Sequence, residues 1–189
     1  GAVRGDGPSP YCAAMDKIFS PAAIANFIDQ INGKIGRTVS WCALILVIVQ
    51  FVAVVQRYIF GIGWIWVEES IVYFHASLFM AGAAYTLLQD GHVRVDIFYR
   101  NATKQKRALV DVLGVVFFLW PVTFLILIKA WPYVASSWSI LERSPETSGI
   151  PAVFLLKSLI LVFAGLLALQ GLSMVLSQIG VLTDKKNHE

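Results

Sequence analysis

The chain has 189 residues, of which 57% are apolar and only 14% charged, and its mean hydropathy is +0.69. Soluble globular domains carry about 25% charged residues, so the composition excludes an ordinary soluble enzyme and points to a lipid-facing surface. The length suits one small membrane domain, and the net charge of +3 is modest, its distribution saying more than its sum. The basic loop between the second and third apolar runs is too short and too close to the membrane for a nucleic-acid partner.

Residues 1–19 read as a flexible N-terminal extension. Gly1 to Ala14 are rich in Gly, Pro and Ala and lack a long apolar stretch, so no cleavable signal peptide is expected, and Met15 is a candidate natural start. Ser20 followed by Pro21 is a helix-start signal, with Ser as N-cap and Pro in the first turn. Ile24, Phe27, Ile28, Ile31 and Ile35 recur at helical spacing, while Asn26, Asp29, Gln30 and Lys34 fall on much of the other side. This predicts an amphipathic helix at the membrane interface, with a bend near Asn32-Gly33 and Gly36. The alternative is a plain extension of the first span.

Four apolar runs follow, at Val39–Phe60, Trp66–Leu88, Leu109–Trp131 and Pro151–Gln178. Each is long enough to cross a hydrocarbon layer of about 30 Å at 1.5 Å per residue. Backbone polar groups in lipid need partners within the segment, so each run is predicted helical. The fold expected is therefore all-α: four transmembrane helices in residues 20–180, preceded by the interfacial helix and followed by a tail at 181–189. Within the third span Pro121 predicts a kink.

Orientation follows from Lys and Arg near the span ends. Lys17, Lys34 and Arg37 precede the first span. Arg94, Arg100, Lys104, Lys106 and Arg107 lie between the second and third, and Lys185 and Lys186 follow the fourth. The other two connections offer only Arg57 and Arg143. Both termini and the middle loop are thus expected on the cytoplasmic side. Trp41, Trp64, Trp66, Trp131 and Trp138 fall near the predicted boundaries, where amphipathic rings prefer to sit. The basic middle loop suits anionic lipid headgroups, a generic attraction.

Polar residues in apolar surroundings carry the functional information, because a charge deep in a bilayer costs about 2.5–3.5 kcal/mol on insertion scales. Arg57 ends the first span and Glu68 and Glu69 begin the second, separated by the short turn Gly61-Ile62-Gly63. An Arg–carboxylate pair across this hairpin would lower the cost of both charges. It could fix the hairpin, contact a partner subunit or, less simply, bind a proton or cation. His75 is two turns into the second span and reads as a hydrogen-bonded packing histidine. Haem ligation would need a second histidine at its depth, and His92 and His188 are not there. Ala76, Ser77, Ala81, Gly82, Ala83 and Ala84 make the second span a candidate for close helix packing. Lys129 and Lys157 can snorkel to the outer face. Cys12 and Cys42 form no CxxC motif. No HExxH, GxSxG, P-loop or Cys/His cluster is present, so the sequence offers no catalytic constellation.

One segment goes further. It runs Arg57-Tyr58-Ile59-Phe60-Gly61, then Trp66-Val67-Glu68-Glu69, then Gly91-His92-Val93-Arg94-Val95-Asp96. This order resembles the small membrane subunit of tripartite ATP-independent periplasmic (TRAP) transporters, and the likeness extends over nearly the whole chain from about Ile24. The resemblance implies a non-enzymatic scaffold in the bacterial inner membrane. Its implied partners are a large membrane subunit and a periplasmic substrate-binding protein, besides membrane lipids. The large subunit would import an organic anion by a sodium-coupled elevator movement. Sodium is implied on that subunit and no cofactor on this chain. Arg57, Trp66, Glu68 and Glu69 are then expected as hairpin or interface determinants. Gly91 is expected to end the second helix, and His92, Arg94 and Asp96 to shape the loop after it. Two readings from other classes remain beside this one: an autonomous four-helix exporter, and a membrane redox or quinone protein.

Overall fold

In a computed structural model of the chain, residues 20–91 and 103–183 are described, the last few only as backbone. They form five α-helices: α1 (Pro21–Tyr58), α2 (Ile65–Leu88), α3 (Lys104–Gly114), α4 (Trp120–Ser139) and α5 (Val153–Thr183). A π-helical turn, Val115–Leu119, joins α3 to α4. Among the described residues, four segments are long and apolar enough to cross a membrane: α1, α2, the continuous α3–α4 rod and α5.

The expected bend after the N-terminal amphipathic segment does not occur. Helix α1 runs unbroken for 38 residues, about 57 Å at the helical rise, so the surface segment and the first span are one rod. Ser20 caps it, accepting a hydrogen bond from the Ala23 amide at 3.2 Å. Gly36 bends nothing. It is buried, and a side chain there would collide with the ring of Tyr85 on α2. The other helices also overrun their apolar cores. Thr103 caps α3 six residues before Leu109, and α4 continues through Pro132 to Ser139.

Pro121 acts through the turn before it. It lacks an N–H, and its ring crowds the carbonyl four residues back. The chain widens ahead of it: the Trp120 amide reaches the Val115 carbonyl, five residues away. Thr123, buried, donates its hydroxyl back to the Leu119 carbonyl at 2.9 Å. A π turn is thus the form the predicted kink takes.

Three helix ends share a device, in which an amide just past the helix bonds back to a carbonyl of its last turn, six residues back after α1 and five after α2 and α4, across a residue in the left-handed region. After α1 that residue is Gly61 (φ 66°), and Ile62 donates to the Gln56 carbonyl at 3.0 Å. After α2 it is Asp90 (φ 53°), and Gly91 donates to the Thr86 carbonyl at 2.9 Å. After α4 it is Leu141 (φ 45°), and Glu142 donates to the Ser137 carbonyl at 3.0 Å. Gly91 thus helps to terminate α2 as expected, but Asp90 takes the left-handed conformation.

Helix α5 is the hub. It packs against α1, α2, α3, the π turn and α4, whereas α4 makes no helix contact except with α5 and the turn before it. Its packed side carries Ala164, Leu167, Gln170 and Ser173, all buried, together with Gly171. A side chain at Gly171 would meet Leu119 Cδ2 at 2.8 Å and Trp120 Nε1 at 3.0 Å. Small residues let helix backbones approach where no hydrophobic effect drives them together. The small residues of α2 also pack closely, as its sequence predicts, against α1 and α5. That helix buries Val67, Ala81 and Ala84 but leaves another face open.

Two substitutions test this packing. Gly171→Leu forces overpacking at the α5–π-turn contact and should lower unfolding stability in detergent by about 1–3 kcal/mol. Gly165→Ala, in open space, should change it by less than about 1 kcal/mol in either direction.

Candidate functional site

The rim that carries the α1–α2 and α4–α5 connections concentrates the charges. Arg57 Nη2 lies 2.7 Å from Glu68 Oε1, joining the last turn of α1 to the first of α2. Their side chains are 62% and 48% exposed, and pairs this open contribute about 0–1 kcal/mol. The pair therefore guides the hairpin more than it stabilises it. Trp66, half exposed, stacks on Trp64 with ring centroids 5.9 Å apart, and both rings stand at the same rim.

Glu69 has a different task. One carboxylate oxygen accepts a hydrogen bond from the Ser144 hydroxyl, and the other accepts the Ile150 amide at 2.5 Å. The α4–α5 connection is thereby tied to the start of α2, more than seventy residues earlier. Gly149 makes room for it, since a side chain there would come within 2.7 Å of the carboxylate. Lys157 closes the other side of the connection. Its ammonium lies 2.5 Å from Glu142 Oε2 and 4.1 Å from the centre of the Tyr133 ring. The hydrogen bond from Lys157 is the main cause that holds the Glu142 carboxyl below its ordinary range. Trp138 adds an indole hydrogen bond to the Ser158 hydroxyl at 2.8 Å and an edge contact to Phe154.

The opposite rim, near the chain termini, holds a buried polar network that the sequence reading missed. Asn32 donates from Nδ2 to Gln170 Oε1 at 2.7 Å. Gln170 donates from Nε2 to Asp29 Oδ1 at 3.0 Å, and the Ser173 hydroxyl reaches the same oxygen at 2.6 Å. A carboxylate offers only acceptors. Asp29 therefore turns the Gln170 amide toward itself, and Gln170 turns the Asn32 amide in turn. Asn32 is 1% exposed and Gln170 2%, so removing either leaves a buried group without its partner. Helical spacing alone puts Asp29 on the polar face of a surface helix, and it does not single out Gln170 or Ser173. The usable signal was a Gln and a Ser three positions apart inside an otherwise apolar span.

Gly91 is the last described residue before the middle loop, and His92, Arg94 and Asp96 lie outside the described residues. His75 departs from expectation. It stands exposed on α2, in contact with the Phe79 ring at a centroid distance of 4.6 Å, and has no hydrogen bond among the described residues. Helix α2 buries its small residues against α1 and α5, and that choice turns His75 away from the bundle. Among the described residues, no group of three or more His, Cys, Asp or Glu side chains is placed to hold a metal ion.

Three outcomes are expected. Gln170→Leu should lower stability by about 1–3 kcal/mol, read by thermal unfolding in detergent, because it strands the buried Asn32 amide and removes one of the two hydrogen bonds to Asp29. Glu69→Ala should raise amide hydrogen exchange across residues 142–150 by at least tenfold while leaving α5 protected. The third concerns pH. A lowered folded-state pKa contributes stability that is present above the unfolded carboxylate value and lost as pH falls through the folded one. Wild-type protein should therefore lose more stability than Glu142→Gln on acidification below about pH 4.3.

The family model described as "Tripartite ATP-independent periplasmic transporters, DctQ component" matches residues 46–180, from the middle of α1 to near the end of α5. Comparison with curated proteins finds no match, and comparison with solved structures finds none either. The family match takes in the Arg57–Glu68 hairpin, the loop held by Glu69 and the α5 hub, and on that ground the chain belongs to the DctQ family, as a small membrane subunit of a TRAP transporter.

Proposed function

We propose that this subunit is a stationary brace, in the bacterial inner membrane, for a sodium-coupled importer of an organic anion. The transport pathway and its sodium sites belong to a large membrane subunit, and a periplasmic binding protein delivers the substrate. The termini and the Asp29–Gln170 rim face the cytoplasm, in keeping with the Lys/Arg distribution. The chain itself catalyses no reaction and holds no cofactor.

One observation carries this reading. Five charged side chains at the hairpin rim are bonded within the chain, Arg57 to Glu68, Glu69 to the α4–α5 connection and Lys157 to Glu142, whereas Arg143 and Glu146 on that connection stand exposed without an ion pair among the described residues. A group that binds and releases cargo or ions must exchange partners. These groups brace helix ends, which suits a body that stays rigid while a partner moves against it. The outward faces support the same view, since Trp41, Phe51, Phe118 and Ile128 are all more than 60% exposed. Such a surface is content against lipid or against another membrane protein, and a TRAP component requires the latter over part of its area.

The chain should co-purify in mild detergent with a membrane subunit much larger than itself; recovery of a homo-oligomer alone would contradict the proposal. Glu69→Ala should weaken the complex or reduce uptake in reconstituted vesicles without altering the ranking of competing substrates. A change in that ranking would place the carboxylate in the substrate path.

A further inference from the structure

Two polar side chains stand at mid-membrane depth on one open face of the α1–α2 hairpin. His75 is the eleventh of the 24 residues of α2, and hence close to its centre. Gln50 lies seven residues before Arg57 on α1, as His75 lies seven after Glu68 on α2. Seven residues are two helical turns, about 10 Å. Because Arg57 and Glu68 touch across the hairpin, Gln50 and His75 lie at a common depth below them, on the same side. Both are exposed, and neither has a hydrogen bond among the described residues. Gln50, Arg57 and Glu68 share the walls of one groove between the helices, of about 260 Å³.

The face continues along α2. Val72 is 53% exposed and Phe79 64%, and a side chain added at Gly82 would meet nothing within 4 Å. Among the described residues, no other helix covers it. Helix α2 contacts α1 and α5, and α3 and α4 contact α5 but not α2. A neutral imidazole carries one donor and one acceptor, and a primary amide carries two donors and an acceptor. Lipid tails satisfy none of them, and polar side chains at this depth nearly always face protein or a water-filled cavity. The packed faces of α1 and α2 could have taken these residues inward. Instead they bury Gly36, Ala81 and Ala84.

We infer that the face bearing Gln50, Val72, His75, Phe79 and Gly82 is the docking surface for a transmembrane helix of the large subunit, and that this helix presents a hydrogen-bonding group at mid-membrane depth to Gln50 and His75. The inference rests on the scaffold reading and adds the face and the chemistry of its partner. Phe79 supplies apolar area beside the imidazole, and Gly82 permits the backbones to approach below it. The α3–α4 side, which carries Phe117, Phe118 and Leu125, is left to lipid.

The test uses the full chain co-expressed with its large subunit. A photoreactive benzoylphenylalanine is placed at Phe79 and, separately, at Phe118. Adducts with the large subunit from position 79 and not from 118 are expected. In parallel, the double variant Gln50→Leu/His75→Leu should retain the large subunit about tenfold less well, in line with the modest strength of interhelical hydrogen bonds in membranes. Its own thermal unfolding should stay at or above the wild-type temperature, since it removes only open polar groups. Adducts of position 79 with a second copy of this chain would overturn the inference, as would full retention by the double variant. Adducts from 118 alone, with the wild-type complex intact, would overturn the face and leave the scaffold reading standing. Failure of the wild-type chain to retain any large subunit would overturn both.

Discussion

The cost of leaving a charge in hydrocarbon organises this molecule. It confines Arg57, Glu68, Glu69, Glu142 and Lys157 to one rim, and there each finds a partner within the chain. The α1–α2 hairpin and the α4–α5 connection are drawn together as a result, because Glu69 on α2 accepts both the Ser144 hydroxyl and the Ile150 amide. With that rim tied, the direction in which α5 enters the bundle is set. At the other rim its Gln170 and Ser173 then meet Asp29 and Asn32 of α1. The two polar clusters clamp the ends of a bundle whose middle is held by small residues, close contact and one indole hydrogen bond, from Trp120 to the Ala168 carbonyl at 3.2 Å. In lipid, that middle has no hydrophobic effect to draw its helices together, so the clamped ends matter more than they would in water.

The arrangement is also lopsided in a useful way. Helix α5 touches every other helix, and α4 is attached to the rest through α5 and the turn before it. A bundle built round one central helix leaves large outward faces on its outer members. On α4 that face is apolar apart from Lys129, whose long side chain can snorkel to the rim, and it suits lipid. On α1 and α2 it includes an amide and an imidazole at mid-depth, and those groups distinguish a side that awaits protein. On the proposed role, the lipid side and the protein side differ in chemistry although both are exposed in the isolated subunit.

Much of this was legible in the sequence. Hydropathy marks the four spans because crossing a bilayer demands length and apolarity together, and both are local properties. The pairing of Arg57 with the Glu68–Glu69 segment is legible too, since a turn of a few residues leaves little choice of depth. The helix ends were less so. Thr103, Pro132 and Asp90 continue or close helices through capping and backbone geometry, which hydropathy does not report. The Asp29–Asn32–Gln170–Ser173 network joins residues about 140 positions apart. A polar stripe on an N-terminal helix looks the same whether it faces water or a distant amide. His75 was misjudged for a related reason. Sequence gives its depth, but only the packing of Ala81 and Ala84 decides which way the helix turns. His92, Arg94 and Asp96, expected to shape the middle loop, lie outside the described residues.

A brace holds its shape while its partner moves. Spin labels at Phe60 and Thr147, on the two connections of the hairpin rim, report that directly by double electron–electron resonance in the reconstituted complex. One distance distribution is expected, unchanged between the substrate-free state and the state loaded with sodium and substrate. A shift of several ångströms between those states would contradict it, since the braced rim would then be a moving part.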